Sequence, residues 1–154
     1  MGQLKEGDQA PGFEARDQSG TIITLDGMKG KKVILYFYPK DDTPGCTKEA
    51  CNFRDNYSTL KEKGFEIIGV SPDNDASHQK FTEKYNLPFR LIPDPDKQIL
   101  NAYGAFGEKN MYGKKSMGVL RSTFVIDEEG KIEKIFKKVD TSSHTEQILT
   151  ALSK

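Results

Sequence analysis

The stretch KKVILYFYP, Lys31 to Pro39, is β-branched and aromatic, apolar at consecutive positions and stopped by a proline. A strand with one wet face would alternate apolar and polar residues, so an unbroken run means burial on both faces, as at the centre of a largely parallel sheet. The rest is read outward from it. Cys46, Ala50, Phe53, Tyr57 and Leu60 recur at spacings of three and four, which lays one apolar stripe along a helix ending near Gly64. FEIIGVSPD, Phe65 to Asp73, reads as a second buried strand that closes a βαβ unit with a right-handed crossover.

The alternation continues with an amphipathic stretch, DASHQKFTEKYN, the short apolar run FRLIPD and the helix-like DKQILNAYG. RSTFVIDEEGKIEKIFKKV gives two strands joined by a turn at Asp127 to Gly130, and SHTEQILTALSK a closing helix with Ile148, Leu149 and Leu152 inward. This order predicts an α/β fold, a central mixed sheet flanked by helices, in one domain spanning 1–154. Between Tyr103 and Val119 the glycine- and lysine-rich YGAFGEKNMYGKKSMGV has no clear period and is expected to be a long loop. Met111, Met117 and the tyrosines there could form a modest apolar patch.

With 23 basic and 23 acidic side chains the formal charge is zero, so the basic field expected of a nucleic-acid or anionic-membrane binder is missing. The charged N-terminal segment lacks the apolar core of a signal peptide and no apolar run is long enough to span a membrane, so a cytoplasmic protein is expected. In a reducing compartment two cysteines are more often reactive, metal-binding or plain core thiols than a structural disulfide.

Both cysteines lie in PKDDTPGCTKEAC, Pro39 to Cys51. Pro44 disfavours helical geometry at Thr43 and suits the first helical position, which makes Thr43 the N-cap and places Cys46 at N3. A thiol there sits at the positive end of the helix dipole, among unpaired amides, where thiolate is favoured. Bringing a thiol from 8.5 to 6 takes roughly 3.4 kcal/mol, and a helix terminus supplies about 0.3 to 2 kcal/mol. A cation is therefore required as well. Lys48 and Arg54 are near in sequence, but neither spacing brings the side chain beside Cys46 on a helix. The charge must come from elsewhere in the chain. Five residues of helix separate the Cα atoms of Cys46 and Cys51 by roughly 8 to 9 Å, beyond disulfide reach, so the two can bond only if the helix opens.

PKDDTPGC, with Pro39, Thr43 and Cys46, resembles the Pro-x-x-x-Thr-x-x-Cys motif of peroxiredoxins. Cys51 five residues on, with YFYPKDDTPGCTKEACNFRD, GVSPD, DPD and EKNMYGKKSMGVLRSTFVID, is similar to the bacterioferritin comigratory protein or peroxiredoxin Q subgroup over nearly the whole chain. The resemblance implies a thioredoxin-like fold with the N-terminal extension of peroxiredoxins and a thioredoxin-dependent peroxidase that reduces hydrogen peroxide and organic hydroperoxides. It implies Cys46 as peroxidatic and Cys51 as resolving cysteine, and Arg121 as the missing cation. Thr43 would bind the substrate oxygen while also capping the helix, Pro39 would shield the pocket, and Glu49 would orient Arg121. It implies no metal or other cofactor and a thioredoxin-like dithiol as partner; since resolution would need no second chain, a monomer is expected, although a dimer is permitted too.

Two rival classes remain at this point: a thiolate metal-binding module, disfavoured by the spacing of its ligands, and a thiol–disulfide oxidoreductase, which would ordinarily carry Cys-x-x-Cys. His78 and His144, the only histidines, stand on stretches rich in polar residues and are expected to be solvated.

Overall fold

The computed structural model describes residues 4–111 and 113–153. Among them, nine strands and five helices run in the order β1 (Glu14–Arg16), β2 (Ile22–Thr24), β3 (Lys32–Phe37), α1 (Pro44–Asp55), α2 (Tyr57–Glu62), β4 (Phe65–Ser71), α3 (Asp75–Tyr85), β5 (Arg90–Pro93), α4 (Gln98–Ala102), β6 (Phe106–Met111), β7 (Lys114–Val119), β8 (Ser122–Ile126), β9 (Ile132–Phe136) and α5 (His144–Leu152).

The five-stranded sheet has the order β5-β4-β3-β8-β9, with β3 at its centre. β3 pairs parallel with β4 and antiparallel with β8, so the sheet is mixed, as expected of the fold, although β3 itself has only one parallel neighbour. β8 lies antiparallel beside β3, and the β8–β9 hairpin, which needs no crossover, adds β9 at the edge. Both faces of β3 are buried. Val33, Leu35 and Phe37 enter one core with residues of β2 and α4; Ile34, Tyr36 and Tyr38 enter the other with residues of α1, α2, α3 and α5. At Gly69 a side chain is excluded, because a Cβ would lie 2.8 Å from both Leu91 Cδ2 and Tyr36 Cζ. The β1–β2 hairpin precedes this thioredoxin-like core as the N-terminal extension.

Two expectations are corrected. The apolar stripe is real, but its helix breaks at Asn56, whose side chain donates to the Asn52 carbonyl at 2.8 Å and competes with the backbone ladder. The expected loop after Tyr103 is instead the antiparallel pair β6–β7, turning near Gly113 at φ 80°. Its strands escaped the periodicity because β7 is exposed over most of its length and buries no alternating set. Met117 is 65% exposed; Tyr112 and the side chain of Met111 lie outside the described residues, and with them the expected patch. No helix among the described residues is long and apolar enough to cross a membrane.

Candidate active site

The site begins where β3 ends. Asp42 takes a left-handed φ of 59°, and both of its carboxylate oxygens are held by α3, at 2.7 Å from Lys84 Nζ and 2.7 Å from the Tyr85 hydroxyl. Thr43 then returns to an extended backbone with Pro44 in the first turn of α1. Thr43 is the N-cap residue, yet its hydroxyl makes no capping bond; it donates to the Lys40 carbonyl at 2.9 Å. The sharp turn at Asp42 folds that carbonyl beneath it, so the expected capping role is not filled.

Cys46 is buried at N3, and Glu49 follows it one turn later on the same face, fully buried. Arg121 reaches both from 75 and 72 residues away in sequence: Nη2 donates to Cys46 Sγ at 3.0 Å and Nη1 to Glu49 Oε1 at 2.7 Å. Register explains its arrival. Phe37 pairs with Ser122, which sets Arg121 beside the end of β3 where the chain turns toward α1. The guanidinium lies over the first turn of α1 at Gly45, where a Cβ would stand 3.4 Å from Nη2, an ordinary contact distance. Burial disfavours the guanidinium charge, but Cys46 and Glu49 more than offset this and hold it protonated. Lys48 is exposed, and Arg54 is bound to Asp55 at 3.0 Å and the Tyr85 carbonyl at 2.8 Å, so neither local cation is needed.

Glu49 is held in conflict. Burial pushes its carboxyl up to about 7, against the pull of the Arg121 charge and hydrogen bond, and Oε2 has no hydrogen-bond partner among the described residues. His144 Nε2 stands 3.8 Å from that oxygen but accepts from the Thr123 hydroxyl at 2.8 Å, while Nδ1 donates to Gln147 Oε1 at 2.8 Å. Gln147 Oε1 also accepts the Asp140 N–H at 3.0 Å, which fixes it as an acceptor and the ring as the neutral Nδ1–H form. Burial lowers His144 to about 4.

Cys51 is a free, half-buried thiol, raised from its ordinary value by burial, partly offset by Arg54. Pro39 is half-buried at the start of the same turn.

The histidines correct the sequence reading, because both are fully buried. His144 lies between Phe53 and Phe136, with ring centroids 5.4 and 5.6 Å away. His78 pairs with Asp41 at 2.7 Å. A signal was present: His78, Phe81 and Tyr85 share one helical face, as do His144, Ile148 and Leu152.

Asp41, Asp73 and His78 are close enough to bind one metal ion, but their ligand atoms are already engaged. Asp41 accepts from Tyr38 at 2.6 Å and Ser77 at 2.8 Å, besides its contact with His78. Asp73 Oδ2 accepts from the Asp41 amide at 2.8 Å and Ser71 at 2.9 Å. This cluster ties the Tyr38–Thr43 turn to α3.

The AhpC/TSA family matches residues 6–135. A putative peroxiredoxin bcp of Coxiella burnetii is 48% identical over 149 residues, covering 97% of this chain and 99% of its own. Peroxiredoxin Bcp of Bacillus subtilis is 45% identical over 149 residues, covering 97% and 95%. A Xanthomonas campestris bacterioferritin comigratory protein, solved in work on its alkyl peroxide reduction activity, superposes with a TM-score of 0.85 at 37% identity, covering 92% of this chain and 90% of that one. A buried cysteine at a helix start, a guanidinium on its sulfur and likeness along nearly the full length converge: the chain belongs to the AhpC/TSA family, in its bacterioferritin comigratory protein (peroxiredoxin Q) branch.

Proposed function

We propose that this protein is a peroxiredoxin that reduces hydroperoxides at Cys46, resolves the product with Cys51 and is recycled by thioredoxin or a similar dithiol. The observation that carries the reading is the 3.0 Å contact between Arg121 Nη2 and Cys46 Sγ at the first turn of α1. The guanidinium and the helix terminus together stabilise a sulfur anion, where the helix alone supplies too little.

The Cys46 thiolate attacks the terminal peroxide oxygen. An S–O bond forms, the O–O bond breaks, and the departing alkoxide or hydroxide takes a proton to leave as alcohol or water. Arg121 has donors to spare for the developing negative charge, and Glu49 holds its plane through the second nitrogen. The Thr43 hydroxyl, beside the same turn, can exchange its Lys40 carbonyl for a substrate oxygen. Pro39 limits water at the entrance. Opening of α1 then lets Cys51 attack the sulfenic sulfur, and an external dithiol reduces the disulfide by exchange. Such a cycle needs a dithiol pool, as in the cytoplasm, and one 154-residue domain acting as a monomer is sufficient for it.

The test is mass spectrometry after one equivalent of hydrogen peroxide. A Cys46–Cys51 disulfide that thioredoxin removes is expected. Cys46→Ser abolishes peroxide consumption, and Cys51→Ser gives a single turnover and an easily overoxidised Cys46. Sustained turnover by Cys46→Ser refutes the assignment, and normal steady-state activity in Cys51→Ser moves resolution to an outside thiol.

A further inference from the structure

Helix α5 starts without a cap of its own. Ser143 occupies the N-cap position with no side-chain capping bond, and its hydroxyl donates to Asp140 Oδ2 at 2.7 Å instead. The cap comes from α1. Asn52 Oδ1 accepts the Thr145 N–H at 2.8 Å, one of the first-turn amides that a helix leaves unpaired. Its Nδ2 donates to the Ser142 carbonyl at 3.1 Å and stands 3.4 Å from Glu146 Oε2. The residue directly after Cys51 therefore caps another helix, 93 positions away.

This cap and the opening of α1 oppose each other. Within a helix each amide bonds the carbonyl four residues back, so unwinding residues 46–51 frees the amides of 52–55 from the carbonyls of 48–51. Asn52 loses its backbone anchor on that side, while its bonds to Thr145 and Ser142 require it to stay in place. Its own carbonyl accepts from Asn56 through both the backbone N–H, at 3.2 Å, and the side chain, at 2.8 Å, so the turn is also held from below.

We propose that Asn52 is a positioning residue that sets the rate of resolution: it latches the Cys51 turn of α1 to the start of α5, and the latch must release before Cys51 reaches Cys46. The inference rests on reading Cys51 as the resolving thiol. In the step it controls, the Cys51 sulfur supplies an electron pair to the Cys46 sulfur of the sulfenic acid. The S–S bond forms, the S–O bond breaks, and hydroxide leaves with the Cys51 proton as water. Cys51 is oxidised and Cys46 reduced. A tight latch lengthens the life of the sulfenic acid, in which a second peroxide can overoxidise it.

The experiment is rapid-quench mass spectrometry of the full-length protein after one equivalent of hydrogen peroxide. In Asn52→Ala the Cys46–Cys51 bond forms roughly 5- to 30-fold faster, the gain from losing a cap and a hydrogen bond. The bimolecular reaction of Cys46 with peroxide stays within about twofold, and less Cys46 is overoxidised at high peroxide. Because the latch holds the closed dithiol and sulfenic forms but is lost in the disulfide, the variant's disulfide becomes harder to reduce, by about 30 mV for a tenfold change. Asn52→Asp keeps the acceptor for Thr145 but not the donor for Ser142, and falls between wild type and Asn52→Ala. Ile132→Val, a core truncation on the opposite face of the sheet, leaves the rate of bond formation unchanged.

Unchanged or slower bond formation in Asn52→Ala overturns the latch alone, as does equal acceleration by Ile132→Val. Absence of the bond in wild type overturns the reading of Cys51 and the latch with it.

Discussion

His144→Gln isolates a titration buried beside the site. The ring has no exposed surface, and burial holds it at about 4 rather than its ordinary 6.5. A neutral histidine in the fold and a protonated one in the unfolded chain make stability fall as pH drops from about 6.5 to about 4. At about 1.36 kcal/mol per pH unit between those values, the full contribution is about 3 kcal/mol, present at neutral pH and lost in acid. Glu49 works in the opposite sense: burial raises it from 4.5 to about 7, so its contribution is complete in acid and lost as pH rises through about 7. The two offset each other in the wild-type curve, and the difference between wild type and variant isolates the histidine. Urea unfolding of both proteins, thiols reduced, from pH 4 to 8 measures it. The stability advantage of wild type grows by about 3 kcal/mol between pH 4 and 7. The cavity and lost hydrogen bonds of the variant shift its curve without changing that slope. Parallel curves would refute the reasoning, because His144 would then have the same proton affinity folded and unfolded.

Arg121→Lys keeps a charge but loses the planar fork that spans Cys46 Sγ and Glu49 Oε1. Loss of one charge-assisted hydrogen bond, about 1.5 to 3 kcal/mol, slows the stopped-flow reaction with hydrogen peroxide about ten- to hundredfold; a rate within twofold of wild type contradicts the role given to the fork. Gly69→Ala places a Cβ 2.8 Å from Leu91 Cδ2 and Tyr36 Cζ, and overpacking of this kind costs about 1 to 3 kcal/mol. Chemical denaturation checks it, and an unaltered midpoint means that the Tyr36 ring moves aside freely.

Local chemistry encodes the central strand and the helix that carries Cys46. Apolar residues on both faces of Lys32–Phe37 require a central strand, and the stripe from Cys46 to Leu60 requires helix. Pro44 after Thr43 sets the helix start and thereby the position of Cys46. The mismatch between the charge a sulfur anion needs and the charge its helix supplies was also legible, and it predicted a cation from elsewhere. The resemblance named Arg121 for that part, but neither spacing nor composition could place it there. Its approach depends on the Phe37–Ser122 register between strands far apart in the chain. The same holds for the two histidines, because a polar ring on an amphipathic helix is solvated or buried according to what packs across from it. His144 is buried because Phe53, Thr123 and Phe136 come from three other elements. Asn52 likewise reads as an ordinary helix-surface residue until the fold sets the uncapped start of α5 against it. Periodicity reports which face of an element is apolar; the packing of distant elements settles which charges and amides meet there, since those contacts join residues that share no local pattern.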